Sequence, residues 1–369
     1  MSLKIVPYTD DLVPAVRAMN ERLKEGGETW GFYRNSLPYW VPRGDDPSQT
    51  VWQECYLVRS EDKVHGGFVL KPQQFFMEGT ETWMATWQGP VSEGLVDPKL
   101  AAVAMLCLRD MGQKQPQLFT WGGSPKLLQL LDAFGWSRTG TALQISILNA
   151  GRFLREARVL RTSDKRRRAL DLLAASGLAG AGAALWRLAH RAGTRRLEAQ
   201  PVDQLGPEMD EIWTTVRDSY GCIAARDVAT VNRLIAPDHW PHGKLYQFTY
   251  QGRPVGWGAV RVTAKEDDRR FGNMTVGAIL DALALPGYEA DVCAALSRIL
   301  AAQKPDMIIT HMTHKRWRRG LKRSGFEEMQ RRRAFCAIPE LADKLGNDLD
   351  GFLEKAHLTP IDADGPHGL

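Results

Sequence analysis

Cysteine is sparse: five residues in 369 (Cys55, Cys107, Cys222, Cys293, Cys336), with no C-x-x-C pair and an odd count. A scattered set of that kind excludes a disulfide framework and leaves buried thiols as the reading. A metal shell is missing as well. His239-x-x-His242 and His311-x-x-His314 are paired by spacing, but neither has a cysteine or a third ligand nearby, whereas a structural zinc wants four, so no metal is expected. Met1 to Asp10 is already polar and lacks the pattern of a secretory leader, so a cytoplasmic protein is expected. A strong overall charge is lacking too: the formal net charge is only +5, with 44% hydrophobic and 25% charged residues, the profile of a soluble globular chain. At this length two domains are expected.

What is present is a repeat of element order. Tyr56 to Arg59 and Gly66 to Leu70 read as a hairpin, Glu81 to Gln88 as a strand, and Pro98 to Met111 as a helix. Leu118 to Trp121 is the next strand, then a helix from Lys126 stops at Gly135, and Ala142 to Leu148 closes the set. The same order returns later. Tyr56 and Tyr246, Gly66 and Gly256, Thr120 and Thr310, and Gly135 and Gly325 are each separated by 190 positions. A constant offset through matching elements predicts a tandem duplication, with one unit over 1–150 and a second over 198–345. Residues 346–369 form a C-terminal tail, and from His357 onward it reads as disordered.

Between the units lies a segment of different composition, 151–197. From Gly151 to Gln200 there are 12 Lys and Arg against 4 Asp and Glu, and Ala169 to Leu185 is almost wholly Ala, Leu and Gly. As a helix those 17 residues would run about 26 Å, short of a bilayer core. The expectation is a basic helical linker with Leu172, Leu173, Leu185 and Leu188 buried against protein. The alternative, peripheral membrane contact through 165–196, needs those side chains exposed beside the arginines.

The most ordered stretch runs from Met274 to Phe326. A mostly apolar strand (Met274–Leu285) leads through Pro286-Gly287 into a helix (Tyr288–Gln303), a second strand (Met307–Met312) and a basic helix stopped by Gly325. In a fold with parallel strands joined by a helix, a ligand sits where the first strand ends and the helix begins, here Leu285 to Ala290.

This order resembles the core of the GNAT acyl-CoA N-acyltransferases, and Leu321-Lys322-Arg323-Ser324-Gly325-Phe326 looks like the end of that family's Y-E-K-x-G-F segment. The resemblance implies an α/β fold with an α+β mixed sheet, here two tandem acyl-CoA N-acyltransferase-like domains. It implies an acyl group, acetyl or another, moved from acyl-CoA to an amine on a small molecule, polysaccharide or peptide. It also implies the donor pyrophosphate on backbone amides at the turn, with Leu285, Gly287, Tyr288, Glu289 and Ala290 around it. The family's acid tyrosine is replaced by Leu321 and, in the first unit, by Leu131.

Acyl transfer needs a polarised carbonyl, a deprotonated amine and a stabilised thiolate. Asp281 is the one carboxylate inside the apolar strand and the candidate base, His311 could titrate near neutral pH, and Tyr288 is the phenol beside the turn. Lys315, Arg316 and Arg319 are candidates for the donor's phosphates. The basic helix lacks the aromatic interleaving of a single-strand binder, so nucleic acid is set aside. The N-terminal turn contains Pro90, which has no amide, and the acidic Glu93, so the C-terminal unit is expected to hold the donor. Two other functions stay open: an aminoacyl or peptidyl transferase of the FemAB type, and a non-catalytic protein of this fold used for binding or assembly.

Overall fold

The computed structural model describes every residue except 1, 34–39, 62, 191–193, 239, 241 and 366–369, so His239 lies outside the described residues. The first half of the chain runs β1 (Lys4–Pro7), α1 (Val13–Glu25), β2 (Glu54–Ser60), β3 (Lys63–Met77), β4 (Thr80–Ser92), α2 (Ala102–Lys114), β5 (Leu118–Trp121), α3 (Pro125–Ala133) and β6 (Ser137–Ile147). Three further helices follow: α4 (Ala150–Glu156), α5 (Asp164–Ala175) and α6 (Leu178–His190). The second half opens with β7 (Glu198–Val202), α7 (Glu208–Val216), β8 (Cys222–Ala224) and α8 (Val228–Leu234). It continues through β9 (Gly243–Tyr250), β10 (Arg253–Ala264), β11 (Thr275–Ala284), α9 (Glu289–Ala302), β12 (Met307–Thr310), α10 (Lys315–Arg323) and β13 (Glu327–Ala337). Last come α11 (Pro339–Lys344), α12 (Leu349–Lys355) and β14 (Ala356–His357).

The offset of 190 holds through the elements. Hairpin strand β2 ends at Ser60 and β9 at Tyr250, β3 starts at Lys63 and β10 at Arg253, α3 spans 125–133 and α10 spans 315–323, and β6 spans 137–147 against 327–337 for β13. The doubled architecture with mixed sheets is therefore what the structure contains.

The compact units, however, are not consecutive in sequence. One comprises residues 1–76, 80–139 and 334–350, the other 77–79, 140–333 and 351–369. In the first unit the strand order is β1-β2-β3-β4-β5, and beyond β5 comes the end of β13, with Phe335 opposite Trp121 and Ala337 opposite Phe119. In the second unit β12 pairs on one side with β11 and on the other with the end of β6, Gln144 opposite Thr310 and Ile147 opposite Met307. Each unit is thus closed by the last strand of the other half of the sequence.

Each core follows the predicted periodicities. In α1, Val16, Met19 and Leu23 recur at three and four residues and are buried with Leu57, Val64 and Val69. In α9, Val292, Cys293, Leu296 and Leu300 are buried under β10 and β11, where Gly258 lets Leu296 approach: a methyl carbon on it would stand 2.7 Å from that side chain.

Two expectations fail. Segment 151–197 is helical, but Leu172, Leu173 and Leu185 are 74%, 41% and 67% exposed rather than buried, while Leu188 lies among the side chains not described. The half-buried face of α5 is instead Leu170, Asp171 and Ala174, whose small or paired side chains let it sit beside α4. As far as residue 365 the tail is also not disordered, the rest of it lying outside the described residues: Ala356 to Ala363 is buried throughout, β14 pairs in parallel with β8, and Thr359 and Asp362 cap a short 3-10 turn. That stretch carries no periodicity because its side chains fill a gap one at a time.

Candidate functional site

In each unit a long strand pairs in parallel with a short one for only a few residues. In the second unit, β11 and β12 are in register from Val276–Met307 to Ala278–Ile309, although β11 continues to Ala284. In the first, β4 and β5 are in register at Ala85–Leu118 and Thr86–Phe119, although β4 continues to Ser92. Beyond those pairs lies a cleft between parallel strands, ending at a turn and a helix N-terminus. Such a cleft exposes backbone donors and acceptors to a ligand.

The two clefts differ in what fills them. In the second unit the chain's own tail occupies it. The His357 Nε2 donates to the Ala282 carbonyl on β11 (2.8 Å), and the Thr313 amide, just past β12, donates to the Leu358 carbonyl (3.1 Å). The imidazole of His357 stacks against both Trp317 and Tyr220, at centroid distances of 5.2 and 5.1 Å. Burial pushes it down to about 3, so it is neutral at pH 7. The Trp317 indole donates to the Tyr220 hydroxyl (3.1 Å), completing a closed aromatic stack.

Behind that stack lies a buried ion cluster. Arg226 donates through Nε to Asp281 (2.6 Å) and through Nη2 to Asp362 (2.6 Å), with all three side chains essentially inaccessible. The second carboxylate oxygen of Asp281 accepts from the Ala282 amide (2.9 Å). Burial pushes the Asp281 carboxyl up to about 6, against the pull of the Arg226 charge. The direction expected from sequence is therefore present, but both oxygens are committed to protein partners, so the geometry gives Asp281 a holding role instead of an open path to an amine. His311 is 7% exposed and is pushed down to about 3, first by burial and then by the Arg333 charge. It does not titrate near neutral pH.

The turn residues stand where the sequence places them. Leu285 and Gly287 lead into α9, Gly287 at φ +87, and Tyr288 caps the helix. Their surroundings, though, are self-satisfied. The Glu289 carboxylate accepts from the Gly287 amide (2.8 Å) and lies 3.4 Å from Arg316. Asp291 accepts from the backbone and guanidinium of Arg195, whose cation sits 4.5 Å over the Tyr288 ring. Gly320 of α10 packs against Ala290, where a methyl carbon would stand 3.0 Å from the Ala290 Cα. The Gly287 amide is thus taken by a carboxylate of its own turn, and α10 packs against Ala290. Of the basic helix, Arg316 bonds Ser219 and Arg318 pairs with Glu328 (2.6 Å), while Lys315 and Arg319 are exposed.

The first unit presents the opposite picture. Counted from the strand registers, Gly89 and Pro90 stand where Asp281 and Ala282 stand in the second unit. They are half-buried, whereas Asp281 is 0% and Ala282 1% exposed. Past β5, Gly122 is half-buried and Gly123 and Ser124 are exposed, whereas Met312, Thr313 and His314 are all buried. Gly122 and Gly123 take φ +107 and +145, which lets the strand turn sharply into the Ser124 cap of α3. Tyr33, in the stretch after α1 that also carries Trp30 and Phe32, reaches this cleft: a methyl carbon on Gly89 (φ +50) would stand 3.2 Å from the Tyr33 hydroxyl.

Glu93, at the turn, is not a free charge. It accepts from Arg22 and is 2.7 Å from His65 Nδ1, whose Nε2 is 2.8 Å from the Ser60 hydroxyl. Serine, histidine and carboxylate are in relay order, but Ser60 is 3% exposed, so no substrate reaches its hydroxyl and the set is an anchor for the turn. Burial alone would raise the Glu93 carboxyl, but the hydrogen bonds and charges of Arg22 and His65 outweigh it and hold it below 4.5. A lowered carboxyl contributes stability above its unfolded value that is lost as pH falls through the folded one. Glu93→Gln is expected to cost about 2 kcal/mol at pH 7 and much less at pH 3. Urea denaturation at both pH values checks this, and an equal cost at both would contradict it.

No protein-family model and no curated protein matches the sequence. Solved structures do. A Saccharomyces cerevisiae N-myristoyltransferase with bound myristoyl-CoA matches with a TM-score of 0.54 and 10% identity, covering 92% of this chain and 79% of that one. A GCN5-related N-acetyltransferase from Anabaena variabilis matches with a TM-score of 0.51 and 12% identity, covering 91% of this chain and 73% of that one. Such likenesses establish a fold, and the 190-residue register establishes the doubling: the chain has the GNAT fold in tandem form.

Proposed function

We propose that the protein is an acyl-CoA-dependent N-acyltransferase, with acetyl or a longer acyl group as cargo and an amine on a small molecule or peptide as acceptor. The donor lies in the first unit, between β4 and β5. One observation carries this placement: the strand cleft of the second unit is filled by residues 356–358, while its counterpart at Gly89–Pro90 and Gly122–Ser124 keeps solvent access. Pro90 donates nothing, but the charge of Glu93 is met by Arg22 and His65. The exposed Lys99, one residue after the proline that opens the 3-10 turn leading to α2, offers a phosphate partner. The names of both structural neighbours, and the bound myristoyl-CoA of one, support acyl-CoA as co-substrate.

In this reading the thioester lies along Gly89, the strand amides polarise its carbonyl, the neutral amine forms the new C–N bond and gives its proton to solvent, and as the C–S bond breaks the Tyr33 phenol protonates the thiolate and is reprotonated from solvent. The test is amide hydrogen exchange with and without acetyl-CoA, combined with kinetics. Protection is expected at 87–102 and 120–124 and none at 279–290. Tyr33→Phe is expected to lower kcat about 10- to 100-fold with little change in KM. A second reading keeps the donor in the second unit, after displacement of the tail, with Asp281, His311 and Tyr288 regaining their roles. Gly287→Glu separates the two: its Cβ meets nothing within 4 Å, and because φ +87 strains any residue but glycine there, circular dichroism and an unchanged melting temperature first establish that the variant keeps its fold. Donor binding left within twofold by Gly287→Glu favours the first unit, and binding abolished moves the donor to the second.

A further inference from the structure

We propose that the bend between α5 and α6 is a docking edge for an anionic lipid bilayer. This rests on observations independent of the acyl-transfer reading. The two helices meet at Ser176-Gly177 with a bend of 69°, and no single described helix is long and apolar enough to cross a membrane. Around the bend the apolar side chains have no protein cover: Leu172 is 74%, Leu178 70% and Leu185 67% exposed. A methyl carbon added at Gly177, Gly180 or Gly182 would meet nothing within 4 Å.

Charge is arranged to match a negatively charged surface. Lys165, Arg166, Arg167 and Arg168 are all exposed on the first turns of α5, just before the exposed leucines. The acid that interrupts the apolar stretch, Asp171, is half-buried and held by Arg161 through two bonds of 2.7 and 3.0 Å. Each acid of α5 is met by an arginine, Asp171 by Arg161 and the exposed Asp164 by Arg167 (3.1 Å), which leaves Lys165, Arg166 and Arg168 exposed beside the leucines. From Arg168 to Ser176 the helix extends about 12 Å at 1.5 Å per residue, so the exposed cations stand about two turns back from the bend around which the leucines are exposed. Leu172, Leu173 and Leu178 would then sit at the acyl boundary with the arginines level with the headgroups. Trp186, 39% exposed on α6, is of the type enriched at that depth. A second copy of the chain would have to bury four adjacent cations with the leucines, which a lipid headgroup layer neutralises instead.

The experiment is co-sedimentation of the full chain with vesicles of phosphatidylcholine alone, and with about a third phosphatidylserine, at low and high salt. Binding is expected to the mixed vesicles only and to weaken as salt rises. Arg166→Gln with Arg168→Gln should reduce partitioning about 25-fold, since each surface cation contributes roughly a factor of five. Leu172→Asp with Leu178→Asp should abolish it, and circular dichroism should show that both variants keep the fold, because these side chains are exposed. Absence of binding at low salt overturns the proposal, as does equal binding to neutral vesicles. So does binding indifferent to the leucine changes, or a leucine-dependent dimer in light scattering that ignores lipid.

Discussion

Arg226→Met is expected to lower the stability of the second unit by about 3–5 kcal/mol at pH 7, because it leaves two buried carboxylates facing each other without their shared cation. The arginine bonds Asp281 and Asp362 simultaneously, and methionine fills comparable volume without charge. In a unit of this size the melting temperature should fall by roughly 10 °C. The loss has a definite pH dependence. Burial already pushes Asp281 up to about 6 with the guanidinium in place, and removing it pushes the carboxyl further. A carboxyl raised on folding stabilises the fold below its unfolded value, and that contribution is lost as pH rises through the folded value. The variant should therefore be closest to the parent near pH 4 and fall away above pH 6. Thermal scans across that range test this, and a deficit constant with pH would refute the account of the cluster.

Truncation after Lys355 should have a larger effect still. It removes Leu358 and Ile361, at 1% and 0% exposure, together with Asp362 and the stacked His357. The two aliphatic side chains alone contribute about 1.5–3 kcal/mol each, and Arg226, which keeps Asp281 but loses Asp362, adds the cost of a broken buried ion pair. The sum reaches the range of a whole domain's stability, roughly 5–15 kcal/mol. Limited proteolysis should then cut freely within 198–333. Should the truncated chain instead melt normally and bind acetyl-CoA at 279–290, the tail would be a removable plug, and the second reading of the donor site would stand.

The doubling was readable because helix stops and hairpin turns are marked by glycine and aromatic residues that survive at one spacing. Which short strand each closing strand joins was not readable. Strands β6 and β13 occupy the same place in their repeats, and nothing local distinguishes a partner in the same half from one in the other. The filled cleft was hidden for a related reason. A glycine turn before a patterned helix looks the same whether a ligand or a distant segment lies against it. A signal did exist: a lone aspartate within an apolar strand must find a cation, and Arg226, together with the capping pattern Thr359-x-x-Asp362, was available to hold it. Leu172, Leu173 and Leu185 stand exposed where burial is expected, because apolar side chains on one helix face do not by themselves say whether protein covers them, and folded surfaces carry many such atoms.

The exchange of closing strands bears on how the chain acquires its structure during synthesis. When the ribosome has delivered residues 1–150, the first unit still lacks Phe335 to Ala337, and β5 presents an unpaired edge. Completion must wait for the chain to reach residue 337, so the contacts that finish this sheet span more than 200 residues, a topology associated with slow folding. Dividing the gene at the linker would not separate two autonomous modules. Each fragment would carry a strand that belongs elsewhere and an edge that invites a wrong partner, so the two halves of the duplication are bound to a common fate as one polypeptide.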